Sequence, residues 1–235
     1  MTLSTRSTEP LPQGDDKRVA IEAMFDRIAP RYDRMNRVIS LGQDVRWRRR
    51  AVATLDLGPR ARVLDVACGT GDLCRELDAA GCRPVGVDLS LGMLEEASTD
   101  APLVRADAER LPFRDATFDG VICGFALRNF VDLDTVFRAC ARVLRPGGRL
   151  VALDAAVPDR LMMRLGNAVW FRGAVPLIGR WFGRDAEAYR YLPRSTAYLP
   201  EPAALLSCLA AAGFGAVKRS TMTGGSVQLL AGVRS

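Results

Sequence analysis

The chain has 235 residues, with 33 Lys and Arg against 27 Asp and Glu, six Cys and no His. Without histidine, His-dependent triads are excluded, and any general base is another side chain or a bound water. The cysteines (68, 74, 82, 123, 140 and 208) lie mostly in apolar contexts and at no metal-ligand spacing, which reads as reduced core thiols, with neither zinc nor a disulfide framework.

Residues 1–16 are rich in Thr, Ser, Pro, Gly and acid and carry no apolar h-region, so they read as a disordered tail on a cytoplasmic protein. Residues 17–57 carry helical spacing through Val19, Met24, Phe25, Ile28, Tyr32, Met35, Val38 and Ile39, and Pro30 is expected to kink or split the stretch. Between 17 and 50 there are ten Arg or Lys against Glu22, Asp26, Asp33 and Asp44, a surplus that equals the whole net charge of +6. Two readings stand for this basic excess: a solvated helical face, or attraction to an anionic membrane surface or partner.

A cofactor-binding core is expected over 61–156. It opens on Arg62-Val-Leu-Asp-Val-Ala-Cys-Gly-Thr-Gly71, an apolar strand of a parallel sheet ending in a glycine turn that lets backbone approach a ligand. A helix follows from Asp72, and a second strand closes at Asp88, about the roughly 20-residue separation at which a nucleotide-binding βαβ unit places an acid on ribose hydroxyls. That pattern fits NAD, FAD or S-adenosylmethionine. Charge separates them, because a pyrophosphate on the helix N-terminus would be repelled by Asp65 and Asp72, whereas a sulfonium and an ammonium would be attracted. Cys74 also stands where a dinucleotide fingerprint wants glycine or alanine. S-adenosylmethionine is therefore favoured, and the plain alternative is an α/β core whose glycines only shape a turn.

Further along, a helix is expected over 91–98 after a Ser90 cap, then strands at 102–106 and 118–124 and the segment 125–130. Leu133, Val136, Phe137, Cys140, Val143 and Leu144 form one apolar helical stripe that Arg145-Pro-Gly-Gly148 ends, before a strand at 149–154. The alternation implies a parallel sheet with right-handed crossovers. Residues 157–200 change to an apolar helical excursion, cut by Arg164, Arg172 and Arg180 and so not a transmembrane helix. Met162, Met163, Trp170, Phe171, Trp181 and Phe182 either line a tunnel for an apolar tail, touch the bilayer interface, or pack as a lid or homodimer seam. A helix at 201–212 and strands at 214–221 and 226–232, joined across Thr223-Gly-Gly225, close the chain as an antiparallel hairpin. The whole of 17–235 thus reads as one α/β domain, with N-terminal helices, a mostly parallel sheet ending in that hairpin, and a helical lid. Class I methyltransferases end in this way.

Several segments resemble one family in order. They are Phe25-Asp-Arg-Ile-Ala-Pro-Arg-Tyr-Asp-Arg-Met-Asn36 with Ser40-Leu-Gly42 and Trp47, Arg105-Ala-Asp-Ala-Glu-Arg-Leu-Pro-Phe113, Phe125-Ala-Leu-Arg-Asn129, Arg142 to Gly148, Tyr189-Arg-Tyr-Leu-Pro193 and Thr223-Gly-Gly225. From about residue 17 to the C-terminus the chain resembles the quinone C-methyltransferases of menaquinone and ubiquinone biosynthesis, whose fold is a class I, Rossmann-like sheet. The resemblance implies a small-molecule aromatic or quinol acceptor, lipid-tailed and of demethylmenaquinol type, with no nucleic acid and with contact at the inner face of the membrane. Two positions depart from the family: Asp154-Ala155 where a glutamate and phenylalanine are usual, and Leu230 where a histidine is usual. Both are expected near the substrate side and favour, as alternatives, a soluble aromatic or natural-product acceptor. A non-catalytic cofactor-binding partner protein is the reading from another class, and a nicotinamide dehydrogenase is the least favoured.

Strand ends supply the cofactor residues. Asp65 and Gly69-Thr70-Gly71 are expected to hold the methionine part, Asp88 the ribose, Asp107 and the Ala108 backbone the adenine, while Gly124 gives close passage. Carbon attack on a methyl needs an adjacent phenol, with a pKa near ~10, to share its proton. The resemblance implies that Arg128 and Asn129 face the acceptor. Arginine is not a base, so Arg128 is assigned to orienting a water or stabilising the phenolate. Tyr32 is the candidate lid residue. The plain alternatives are a surface salt bridge for Arg128 and a core aromatic for Tyr32.

Overall fold

The computed structural model describes residues 12–158 and 195–235. Three helices come first: α1 (Gly14–Ile28), α2 (Tyr32–Ile39) and α3 (Gln43–Leu55). Pro30 sits in the single 3-10 turn Ala29–Arg31 that splits α1 from α2, because its ring and missing N–H stop the α-helical ladder. α1 begins at Gly14, inside the stretch expected to be tail, and Val19 is exposed although the periodicity places it on the apolar face.

The core alternates β1 (Arg62–Val66), α4 (Asp72–Ala79), β2 (Arg83–Asp88), α5 (Leu91–Glu95), β3 (Leu103–Arg105), β4 (Phe118–Gly124), α6 (Leu133–Val143) and β5 (Leu144–Ala155). It closes with α7 (Pro202–Ala211), β6 (Phe214–Met222) and β7 (Val227–Arg234). One seven-stranded sheet runs in the order β3-β2-β1-β4-β5-β7-β6. β7 pairs antiparallel with both β5 and β6, and all other pairings are parallel. The strand order reverses between β1 and β4, and open α/β sheets bind ligands beyond the strand ends at that point.

Successive strand residues feed opposite faces of the sheet. Leu64, Val66, Val121, Leu150, Ala152 and Leu230 pack with α6 and α7, while Val63, Ile122, Val151, Leu153 and Leu229 pack with α3 and α4. Such double burial needs the near-continuous apolar runs seen in β1, β4 and β5. Leu230 is wholly buried in the first cluster, beside Leu205 and Leu209 of α7. The departure at 230 is thus a core packing choice, and the expectation that it lies near the substrate is corrected.

Two local expectations also change. α5 stops at Glu95, not at 98, because the Ser98 N–H donates to the Thr70 carbonyl (3.2 Å) and Arg75 holds the Ser98 carbonyl (2.8 Å), pulling the chain towards the glycine loop. Arg145-Pro-Gly-Gly148 lies within β5 as a bulge: Phe118 pairs with Leu144, and the next pair is Gly120 with Arg149. The excursion 159–194, with its tunnel, interface and seam readings and its Met, Trp and Phe residues, lies outside the described residues, as do residues 1–11. Among the described residues no helix is long and apolar enough to cross a membrane, no group of side chains could hold a metal ion, and all six cysteines are free.

Candidate active site

Asp65 lies in β1, one residue before its end, and is wholly buried. Its Oδ2 accepts from the Cys74 thiol at 3.4 Å, while Oδ1 has no hydrogen-bond partner among the described residues. Burial is the main cause that pushes its pKa up to about 8; the Cys74 bond opposes, Asp88 adds, and Arg48 opposes again. A buried carboxyl with an orphaned oxygen is costly unless something cationic completes it. The backbone then turns through positive φ at Ala67 (57°), Gly69 (55°) and Gly71 (81°). At Gly71 a Cβ would stand 2.7 Å from the Thr99 methyl, so conformation and space both demand glycine. Asp88, at the tip of β2, accepts from the Gly69 N–H (2.8 Å) and the Ser90 N–H (2.9 Å), and burial raises its pKa. The acid expected for the ribose therefore also ties the glycine loop to β2.

Asp72 is different from Asp65. Arg48 Nη2 lies 2.8 Å from one of its oxygens and Arg75 pairs with the other. The charge argument drawn from two acids flanking the turn therefore falls on Asp65 alone. Thr70 turns its hydroxyl to Asp33 of α2, which locks the loop to the N-terminal helices.

A cavity of ≈ 100 Å³ lies at the carboxyl ends of the strands. Of the residues singled out in the sequence, Tyr32, Gly69, Asp88, Asp107, Ala108, Gly124 and Asn129 line it. Asp65, Thr70, Gly71 and Arg128 do not. Asp107 caps the 3-10 turn Ala108–Arg110 through Oδ1 to the Glu109 N–H (2.9 Å), and its Oδ2 accepts from Arg18 of α1 (3.3 Å). Capping and ligand contact thus compete for one carboxylate. At Gly124 a Cβ would meet Leu73 Cδ1 at 2.8 Å, which explains glycine there by helix packing.

β4 hands over to the acceptor residues through Phe125, a non-glycine residue at φ 60° whose N–H donates to the Leu153 carbonyl (2.6 Å). Conformations of this kind cost of order 1–3 kcal/mol and cluster at functional sites. The next turn, Leu127–Asn129, buries Arg128 at 6% exposure. Its backbone N–H donates to Asp154 Oδ2 (3.1 Å), its Nη1 to Asp154 Oδ1, and its Nε to Ser195 Oγ (3.2 Å). The partner is an internal carboxylate on β5, not a surface one. Asn129 donates to the Phe125 carbonyl at 3.4 Å. Tyr32 stacks edge-on to Phe25 with ring centres 5.8 Å apart. Burial raises the pKa of its phenol, while a hydrogen bond with Asn36 and the charges of Arg128 and Arg48 work the other way.

Some functional residues were not singled out in the sequence. Asp26 accepts from the Ser90 hydroxyl (2.5 Å) and the Gly92 N–H (3.0 Å), so α1 caps α5 from outside, and Ser90 itself accepts from the Met93 N–H as expected. Lys17 is buried, donates to the Phe130 carbonyl (2.5 Å) and stands 3.9 Å over the Tyr198 ring; burial lowers its pKa to about 8. Arg18, Arg37, Arg48 and Arg49 all have acidic partners. Of the basic residues of 17–50, Lys17, Arg18, Arg37, Arg48 and Arg49 thus have named partners within the protein, which bears on both readings of the basic excess. Helical spacing signals Asp15 with Arg18 and Asp44 with Arg48, whereas the partners on other elements, Asp72, Glu76 and Asp107, carry no such signal.

Comparison with known proteins bears on the family and the fold. A family model described as the ubiE/COQ5 methyltransferase family matches residues 13–234. A demethylmenaquinone methyltransferase of Mycolicibacterium paratuberculosis is 41% identical over 215 residues, covering 91% of this chain and 94% of the relative. One of Thermus thermophilus is 42% identical over 221 residues, covering 90% of this chain and 100% of the relative. Among solved structures, SAM-dependent methyltransferases of Thermotoga maritima (TM-score 0.66, 18% identity, 92% of this chain and 100% of that one) and Aquifex aeolicus (TM-score 0.62, 14% identity, 91% and 98%) share the fold.

Proposed function

We infer the reaction from family and site together: the chain belongs to the ubiE/COQ5 methyltransferase family and is a methyltransferase enzyme, and we propose that it methylates a ring carbon of a demethylmenaquinol-type acceptor with S-adenosylmethionine. The observation that carries this reading is the buried carboxylate oxygen of Asp65, without a hydrogen-bond partner among the described residues, behind a glycine loop whose Gly69 lines the same cavity as Tyr32 and Asn129. The names of relatives about 40% identical supply the acceptor.

The residues present fit the cofactor. Asp65 with the Gly69–Gly71 backbone would hold the charged amino-acid end, Asp88 the ribose, and Asp107 with the Ala108 backbone the base. Bound S-adenosylmethionine supplies a methyl group on a sulfonium, open to in-line attack by an electron-rich carbon. The chain's own contribution is placement and charge. Tyr32 and Phe25 cover the cavity from α1 and α2 and exclude water from it. Asn129 places a polar group on the cavity wall, and Arg128, always charged and buried behind it, stabilises the phenolate form of the acceptor or orients the water that takes its proton. A lipid-tailed acceptor and the remaining exposed Arg31, Arg46 and Arg50 support working contact with the inner face of a membrane.

The test is incubation of the protein with methyl-labelled cofactor and either a short-tail demethylmenaquinol or a demethylated benzoquinol. Label in the naphthoquinol product supports the proposal. Label only in the benzoquinol, or in a soluble aromatic acceptor, replaces the acceptor while leaving the cofactor reading standing.

A further inference from the structure

Arg128 and Asp154 form a buried ion pair far from bulk water: Asp154 is wholly buried and Arg128 6% exposed. Isolated, either charge would be very costly at that depth. The geometry is more specific than neutralisation requires. Both Asp154 oxygens are used on one residue, Oδ2 on the Arg128 backbone N–H at 3.1 Å and Oδ1 on its Nη1, so the carboxylate fixes the backbone turn and the guanidinium together. Oδ1 is itself anchored by the Ala155 N–H at 2.7 Å. Ser195 then takes Nε at 3.2 Å from the opposite side in sequence, after the 159–194 segment. A guanidinium held at its Nε, one Nη and its own backbone has its plane determined. One guanidinium nitrogen meets the carboxylate and the backbone N–H supplies the second contact, so a single anion ties the side chain to its own turn.

We propose that Asp154 is a positioning residue for the methyl transfer, clamping the buried turn of Arg128 directly behind Asn129, which lines the cavity, so that the Arg128 charge acts on the acceptor from one fixed place. This rests on the acceptor-side reading above. A charge held this way acts before the acceptor arrives, as preorganised electrostatics require. Asp154 touches no reacting atom; it works through Arg128, and Ser195 is the second holder.

Two substitutions test it, each sufficient alone. Asp154→Glu keeps the charge and moves the carboxylate out by one methylene; the family's glutamate stands before a phenylalanine, whereas here Ala155 follows and its N–H and that of Arg128 are set for the shorter side chain. The expected result is a kcat at least tenfold lower, with cofactor Kd within twofold of the parent. Asp154→Asn keeps the shape and removes the charge. Arg128 then acts un-neutralised, so the acid limb of the kcat profile moves to lower pH, and in NMR of ring-labelled tyrosine the Tyr32 resonance titrates at lower pH too. A merely structural pair would lower thermal stability and leave both the pH limb and the Tyr32 titration in place. If Asp154→Asn does not fold, Asp154→Glu decides. Parental kcat in Asp154→Glu, or an unmoved limb and unmoved Tyr32 in a folded Asp154→Asn, overturns the proposal. Absence of turnover in the parent with any quinol would instead remove the acceptor reading, and the Tyr32 titration still reports on the clamp.

Discussion

Asp65 should make the cofactor-free protein less stable as pH rises, the reverse of what an ordinary paired carboxylate does. Its pKa is raised from 3.8 in the unfolded chain to about 8 in the fold. A group raised on folding contributes stability that is fully present below the unfolded value and lost as pH climbs through the folded one. At pH 7 the fold therefore holds a proton that the unfolded chain has released, at a cost of about 4 kcal/mol relative to acid, since each pH unit is worth about 1.4 kcal/mol. Between pH 5 and pH 7 the change is about 3 kcal/mol, or about 6–12 °C in melting temperature for a chain of this size.

Asp88 shifts in the same direction and Asp44 in the opposite one, so the total pH profile does not isolate Asp65. Asp65→Asn does, because it is nearly isosteric and carries no proton to lose. Melting curves of cofactor-free parent and variant at pH 5, 6, 7 and 8 should diverge, with the variant gaining on the parent at each step. Calorimetry supplies the second arm: cofactor binding to the parent at pH 7 releases close to one proton as Asp65 ionises against the incoming cation, seen as a heat that depends on the buffer. The variant should bind at least tenfold more weakly and release none. Parallel melting curves would refute the reasoning, because the protonated, buried carboxyl would then not exist.

Arg128→Ala should keep cofactor affinity within about threefold in calorimetry while turnover falls at least 100-fold, since about 2.7–4 kcal/mol is typical for removing one preorganised donor. Arg18→Ala frees one oxygen of Asp107 from a half-exposed pair; cofactor should associate faster, at a stability change within about 0.5 kcal/mol, and weaker binding would instead make Arg18 a ligand. Gly71→Ala places a Cβ at φ 81° against Thr99 and should weaken cofactor binding at least tenfold with a melting temperature lower by several degrees. The thiols of Cys68, Cys123 and Cys140 are pushed up by burial and their surroundings, so a thiol reagent should label them only on unfolding.

The sheet was legible because its signal is local. β4 is expected at 118–124 and is found there, and the double burial of β1 and β5 shows in Val63-Leu64 and Leu150-Val-Ala-Leu153, where successive residues are apolar. Pro30 marked the α1–α2 break for the same reason: the ring acts on its own backbone. Where expectation slipped, a distant group had intervened. α5 is short because Ser98 bonds to Thr70, 28 positions earlier, and Arg145–Gly148 bulges within a strand because β4 offers β5 a ladder on both sides of the turn.

The site shows the same division more sharply. Gly69, Gly71 and Asp88 could be placed from spacing, since a strand end and a glycine turn fix them locally. What each carboxylate does could not. Asp65 and Asp72 look alike in the sequence, both flanking the loop, yet Arg48 from α3 and Arg75 from α4 neutralise only Asp72. Asp65 keeps an oxygen without a partner among the described residues because Arg48, Arg49 and Arg75 are spent on Asp44, Asp72 and Glu76, while Arg46 and Arg50 of α3 are exposed. Arg48 of the N-terminal helices is thus part of how the site is selective: with Asp72 paired by Arg48 and Arg75 and Asp88 held by backbone N–H groups, Asp65 is left as the buried carboxylate whose cost a bound cation would offset.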